Sequence, residues 1–106
     1  MAMATPASSE KSGQRILVVD DESTISDLIS TSLKFVGFDV RTAANGAEAL
    51  TAVEEFKPHA MILDVMLPDL DGFEVCRQIR NEGHQIGVLF LSAKDEMKDK
   101  VQGLTI

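Results

Sequence analysis

The sequence has a single cysteine, Cys76, so no disulfide can form within the chain. Its place in a helical pattern reads as a small buried hydrophobe rather than a reactive thiol. Basic residues are few and scattered: 10 Lys and Arg against 17 Asp and Glu leave a net charge of -7. Direct nucleic-acid binding needs a concentrated basic face, so this chain is not expected to touch DNA itself. No apolar run approaches the roughly 20 residues of a membrane span, and the opening MAMATPASSEKSGQ lacks the apolar segment of a signal peptide. Neither G-x-x-x-x-G-K-[ST] nor G-x-G-x-x-G occurs, which removes the usual support for nucleotide binding. These absences point to a cytoplasmic chain with no membrane partner and a disordered arm over residues 1–14. The 106 residues allow one domain, expected over 15–106.

What the chain does have is aliphatic runs that stop at acids. The stretch RILVVDDES, Arg15 to Ser23, carries four aliphatic residues into Asp20, Asp21 and Glu22. An uninterrupted aliphatic run reads as a strand buried on both faces. Helical spacing follows at Ile25, Leu28, Ile29, Leu33 and Val36, with Asp21 as the expected N-cap and Gly37 as the stop. Phe38–Ala43 reads as a short strand. Asn45–Phe56 reads as a helix with Ala49, Leu50, Val53 and Phe56 on one side, closed by Pro58. Ala60–Asp64 is a further strand ending in aspartate, and Val65–Gly72 is turn chemistry. Phe73–Gly83 has helical period, with Phe73, Cys76 and Ile79 aligned. Ile86–Ser92 is a fourth aliphatic run, and Asp95–Leu104 opens another helix with Met97, Val101 and Leu104 inward. The order βαβαβαβα implies a doubly wound parallel sheet covered on both faces, with right-handed crossovers.

In an open parallel sheet, ligands bind beyond the carboxyl ends of the strands. The first strand ends in Asp20 and Asp21, the third in Asp64, the fourth in Ser92. If the first and third strands are neighbours, three carboxylates converge with a hydroxyl beside them. An all-oxygen set of this kind suits Mg²⁺, Mn²⁺ or Ca²⁺ better than zinc. Each residue alone has a plainer reading: a strand-end aspartate is most often a cap or a solvated end, and Ser92 alone caps the following helix. The coincidence of all four carries the case. Asp69 and Asp71 sit in a Pro/Gly turn and are assigned to local backbone bonds. His59 and His84 lie at loop edges with no partner at metal-ligand spacing and are read as solvated.

The stretches ILVVDDE, MILDVMLPDLDGFEVCRQIR and VLFLSAKDE together resemble the receiver domain of bacterial two-component response regulators, in texture those with a winged-helix DNA-binding output domain. The resemblance runs from about Arg15 to the last residue. It implies a flavodoxin-like sheet in strand order 2-1-3-4 for the strands present, with Asp64 as the phosphoacceptor. Asp20 and Asp21 match the acidic pair that holds Mg²⁺ (Mn²⁺ as a substitute). Met66 matches the residue whose backbone carbonyl ligates the metal. Ser92 matches the switch hydroxyl, and Ala93 the small residue beside the phosphoryl group. The implied partner is a sensor histidine kinase, and DNA is reached only through an output domain outside this chain. The implied chemistry is self-catalysed phosphoryl transfer to Asp64 and its hydrolysis, not enzymatic turnover.

The family's receivers continue into a fifth strand that opens with a Lys-Pro pair, and then a fifth helix. This sequence ends at Leu104–Thr105–Ile106, so the resemblance implies a receiver incomplete at its C-terminus. Lys94 and Lys98 read as solvated rather than as substitutes for that lysine. The fourth strand then becomes an apolar sheet edge, a template for a second copy in a homodimer or swapped oligomer. Three rival readings are weaker. A phosphoaspartate hydrolase spaces its two aspartates by one residue, whereas here they are adjacent. A flavin module would need an uncharged phosphate loop after the first strand. An unphosphorylated interaction module would have no use for the full acidic set.

Overall fold

The computed structural model describes residues 13–91. Within them run β1 (Arg15–Val19), α1 (Ser23–Phe35), β2 (Asp39–Ala43), α2 (Gly46–Phe56), β3 (Ala60–Asp64), α3 (Gly72–Asn81) and β4 (Gly87–Leu91). The strands form one parallel sheet in the order β2-β1-β3-β4, as the resemblance implies. Ser92, Ala93 and the helix expected at Asp95–Leu104 lie outside the described residues, as do residues 1–12 of the expected arm. Gln14, read as the end of that arm, accepts a backbone hydrogen bond from Asp39 at 3.0 Å.

The chain steps from β1 outward to β2, then back across β1 to β3 and on to β4. Right-handed crossovers place α1 on one face of such a sheet and α2 and α3 on the other. The α2–α3 face holds the core: Leu17, Val19, Met61, Leu63 and Phe90 from the strands pack with Ala49, Ala52, Val53, Val75 and Ile79 from the helices. Leu17, Met61, Leu63, Val75 and Ile79 are fully buried.

The α1 face is barer. Its helix turns Ser26 and Ser30 to the sheet and leaves Leu28 67% exposed. The buried Ser26 hydroxyl donates to the Ser23 carbonyl at 3.2 Å, which satisfies it inside the helix. Beyond α1, a groove of about 370 Å³ opens among the described residues, lined by Ile16, Leu33, Phe38, Ile62 and Leu89. On this side of β4, which is an edge among the described strands, Leu89 is 46% exposed.

Helix boundaries follow local chemistry. At the end of α1, Gly37 adopts φ 109, and Phe38 and Gly37 donate back to Leu33 and Lys34 at 3.1 and 3.0 Å. This paired return bonding needs a left-handed residue, which glycine supplies without strain. Asn45 caps α2 by accepting from the Glu48 amide at 2.8 Å. The expected cap of α1 does not form: the N-cap position is Glu22, and no side chain caps it. On α3 the buried stripe is Val75 and Ile79, not Phe73, which is 41% exposed. Phe73 instead lies against Phe90 of β4, with ring centroids 4.6 Å apart.

Candidate functional site

The two middle strands, β1 and β3, are neighbours whose outgoing helices leave to opposite faces. This is the switch point where a doubly wound sheet opens a crevice. Asp20 follows β1 directly and Asp64 is the last residue of β3. Each of Asp20, Asp21 and Asp64 offers a carboxylate oxygen within 4.8 Å of the others. The convergence expected from the strand ends is therefore present. Asp20 and Asp64 are 6% and 2% exposed, while Asp21 faces solvent.

The backbone fixes these carboxylates. The Asp20 amide donates to the Ala43 carbonyl at 3.1 Å, and its Oδ1 accepts from the Glu22 amide at 2.9 Å. That bond takes Asp20 into the turn before α1. Asp64 Oδ1 accepts from the Met66 amide at 3.1 Å. Met66 is thus within the same turn as Asp64, where its carbonyl was expected to serve the metal. A cleft of about 160 Å³ opens beside Asp20 and Asp21, lined also by Ser26, Asp27, Thr42 and Glu48. Ser92 and Ala93 lie just past the described residues. Their neighbour Leu91 is fixed: it pairs with Asp64 in the sheet and accepts from the Val65 amide at 2.9 Å.

Two supports were not legible in the sequence. Gly72, at the start of α3, donates to the Val65 carbonyl at 2.7 Å, and a Cβ there would lie 2.4 Å from the Asp64 carbonyl oxygen. Only glycine lets α3 begin this close to the end of β3. Asp71 caps α3 through the Phe73 and Glu74 amides at 2.7 and 3.2 Å, the local role expected of it. Asp69 does more than a turn aspartate. Besides the Leu70 amide, its two oxygens accept from the Gly46 and Ala47 amides at 2.7 and 3.0 Å. It therefore caps α2 from 22 and 23 residues away and ties the loop after Asp64 to the loop after β2. These backbone donors, Gly46 first, hold its carboxyl below the usual carboxylate range. A turn rich in Pro, Asp and Gly signals local bonding, so nothing in the sequence pointed to so distant a partner.

The donor set fits a hard divalent cation. All the ligands on offer are oxygens, few in number and grouped at a crevice open to water on the Asp21 side, which leaves positions for retained waters. Two ionised carboxylates within 4.8 Å of one another repel by roughly 3–4 kcal/mol at an effective dielectric of about 20. The opposing pull of a dication is the natural remedy.

Comparison with known proteins agrees. Residues 16–106 match the response regulator receiver domain family. The chain is 50% identical over 93 residues to the alkaline phosphatase synthesis transcriptional regulatory protein PhoP of Bacillus subtilis, covering 88% of this chain and 39% of that protein. It is 46% identical over 90 residues to the response regulator MprA of Mycobacterium avium, covering 85% and 40%. The chain thus spans about two-fifths of the length of these relatives. Among solved structures, the receiver domain of the Francisella response regulator 1452 superposes with a TM-score of 0.75 at 32% identity, over 87% of this chain and 76% of that one. The response regulator TrrA of Thermotoga maritima, in complex with Mg²⁺-BeF, superposes with a TM-score of 0.71 at 32% identity, over 86% and 98%. With the sheet order, the acid cluster at its switch point and these matches in hand, the chain belongs to the receiver domains of two-component response regulators.

Proposed function

We propose that Asp64 is the phosphoacceptor of this receiver and that Asp20, Asp21 and the Met66 carbonyl join it in holding Mg²⁺, with Mn²⁺ as a substitute. The observation that carries the reading is the meeting of three carboxylates at the carboxyl ends of β1 and β3. An oxygen of Asp64 attacks the phosphorus of a phosphohistidine. The new P–O bond forms as the P–N bond breaks, and the electron pair stays on the leaving imidazole nitrogen. When bound, Mg²⁺ neutralises the carboxylate and phosphoryl oxygens that would otherwise repel one another. The protein's own part is positioning: the Met66 amide orients one Asp64 oxygen, and Gly72 and Asp69 hold the loop that carries both.

The acyl phosphate then hydrolyses, which resets the domain without turnover of an external substrate. Ser92 donates to the phosphoryl group in the switched state, with Ala93 leaving room for it. The donor of the phosphoryl group is a sensor histidine kinase, and the output is transcriptional, through a winged-helix DNA-binding domain in the longer parent protein. The naming of PhoP as a transcriptional regulatory protein supports that output. Among the described residues no helix is long and apolar enough to cross a membrane, which accords with a cytoplasmic setting. The edge position of β4 among the described strands supports association of two copies along it. Light scattering on this chain should then return a mass above the monomer's, and a monomer at all concentrations would refute that association.

The test of the site is incubation with acetyl phosphate and Mg²⁺, read by intact mass. The wild-type chain, or the parent protein, gains one phosphoryl group and Asp64→Asn gains none. Label that survives in Asp64→Asn would place the acceptor elsewhere.

A further inference from the structure

A second cluster of ligating side chains lies at the other end of the sheet. Glu54 belongs to the C-terminal half of α2, and Glu82 and His84 flank Gly83 in the turn that enters β4. That turn is well anchored. Gly83 adopts φ 87 and donates to Arg80 at 3.0 Å, His84 donates to Ile79 at 3.2 Å, and Arg80 Nη1 donates to the Ile86 carbonyl at 2.8 Å. From it, His84 Nε2 reaches to 3.0 Å from Glu54 Oε2 and 3.7 Å from Glu82 Oε1. All three ligand atoms lie within 4.8 Å of one another.

A hydrogen bond between imidazole and Glu54 accounts for one of these approaches. Glu82 Oε1 stands beyond hydrogen-bond distance of the same nitrogen, within ion-pair reach of a protonated imidazole, and brings a second carboxylate beside the first. The separations match a different arrangement. Bonds of about 2.1 Å from a tetrahedral cation place neighbouring ligand atoms about 3.4 Å apart, between the two observed distances. Two carboxylates and a neutral imidazole also balance a dication in charge. The His84 side chain is 26% exposed and the carboxylates 57% and 56%, so all three ligands are reachable from solution.

We propose that Glu54, Glu82 and His84 form a second divalent-cation site, separate from the acid cluster at Asp64, that takes a borderline transition cation such as Zn²⁺ with water in the fourth position. The imidazole nitrogen sets the selectivity: it favours Zn²⁺, Co²⁺ or Ni²⁺ over Mg²⁺ and Ca²⁺, the reverse of the all-oxygen set at the carboxyl end. An ion here joins side chains 30 residues apart and fastens α2 to the turn that leads into β4.

Calorimetric titration of the 106-residue chain with ZnCl₂ alone tests the site, with Asp64→Asn, Glu82→Gln and His84→Gln run alongside. Asp64→Asn should keep a Zn²⁺ site, Glu82→Gln should weaken it at least tenfold, and His84→Gln should abolish it. Co²⁺ should show visible ligand-field bands that are lost in His84→Gln. Glu82→Gln breaks no hydrogen bond to the imidazole, so it decides the matter if His84→Gln loses its far-ultraviolet circular dichroism. Zn²⁺ binding that is unchanged by Glu82→Gln, or that disappears in Asp64→Asn, would overturn the proposal.

Discussion

The two ends of the sheet handle charge in opposite ways. At the amino end, polar groups are matched within the fold. The Arg15 Nε–H is shared between the Phe56 and Lys57 carbonyls at 2.9 Å each, closing the end of α2. The Arg15 amide donates to His59 Nδ1 at 3.0 Å, and His59 returns a backbone bond at 2.8 Å. Glu54 faces His84. At the carboxyl end, Asp20, Asp21 and Asp64 gather like charge at a single point, two of the three in buried positions. The Arg15 and His59 contacts of the amino end are arranged as folding alone would arrange them. The carboxyl end gathers acidic groups that could hold a metal ion, and that contrast separates the scaffold from the candidate site.

The contrast can be broken hardest at Gly72. A Cβ at that position meets the Asp64 carbonyl oxygen and the Val65 Cα, both backbone, so nothing flexible can give way. Gly72→Ala should cost about 3 kcal/mol, at the upper end for overpacking, and should slow acetyl-phosphate labelling of Asp64. Urea unfolding beside a labelling time course reads both effects. At the amino end, Arg15→Ala removes one bifurcated charge-assisted bond to the end of α2 and should cost about 1–2 kcal/mol, while Mg²⁺ affinity stays as in the wild type. A shift in Mg²⁺ affinity would mean that the two ends are coupled rather than separate.

Asp21→Asn should act with the opposite sign. Removing one like charge should stabilise the metal-free chain by on the order of 1 kcal/mol, modest because Asp21 faces solvent, and should weaken Mg²⁺ binding. Loss of stability in metal-free buffer would show that the cluster is not repulsive. The subtlest effect is at Asp69. Its folded-state carboxyl titrates below its ordinary value of 3.8, so its stabilising contribution is complete above that value and lost as pH falls through the lower folded one. Asp69→Ala should lower the urea midpoint at neutral pH, and the gap from wild type should close in strong acid. A gap independent of pH would assign the effect to packing instead.

The strands and the acids at their ends were legible because both signals are local. An aliphatic run names a buried strand, and its last residue names what stands at the crevice. Ala60–Asp64 has the bounds read from sequence, and Gly37 stops α1 as expected. What escaped depended on the third dimension. The stripe read for α3, Phe73, Cys76 and Ile79, missed Val75, which joins the core while Phe73 stands against Phe90 of β4. The buried serines of α1 escaped because the helical reading followed its apolar residues, while Ser26 and Ser30 are the ones that are buried. Asp20 feeds the turn at Glu22, and Glu22 rather than Asp21 holds the N-cap position. Asp69, His59 and His84 were read as local or solvated because their partners lie 22 to 44 residues away.

The central claim is that the carboxyl end is built for a cation and the amino end is not built for the same one. Titration of the isotope-labelled chain with MgCl₂, followed by amide chemical shifts, tests it most directly. The predicted result is saturable shifts centred on residues 20–22 and 64–66, with Glu54, Glu82 and His84 unmoved, and loss of that pattern in Asp64→Asn. Shifts that spread over the whole acidic surface, or that persist in Asp64→Asn, would contradict it.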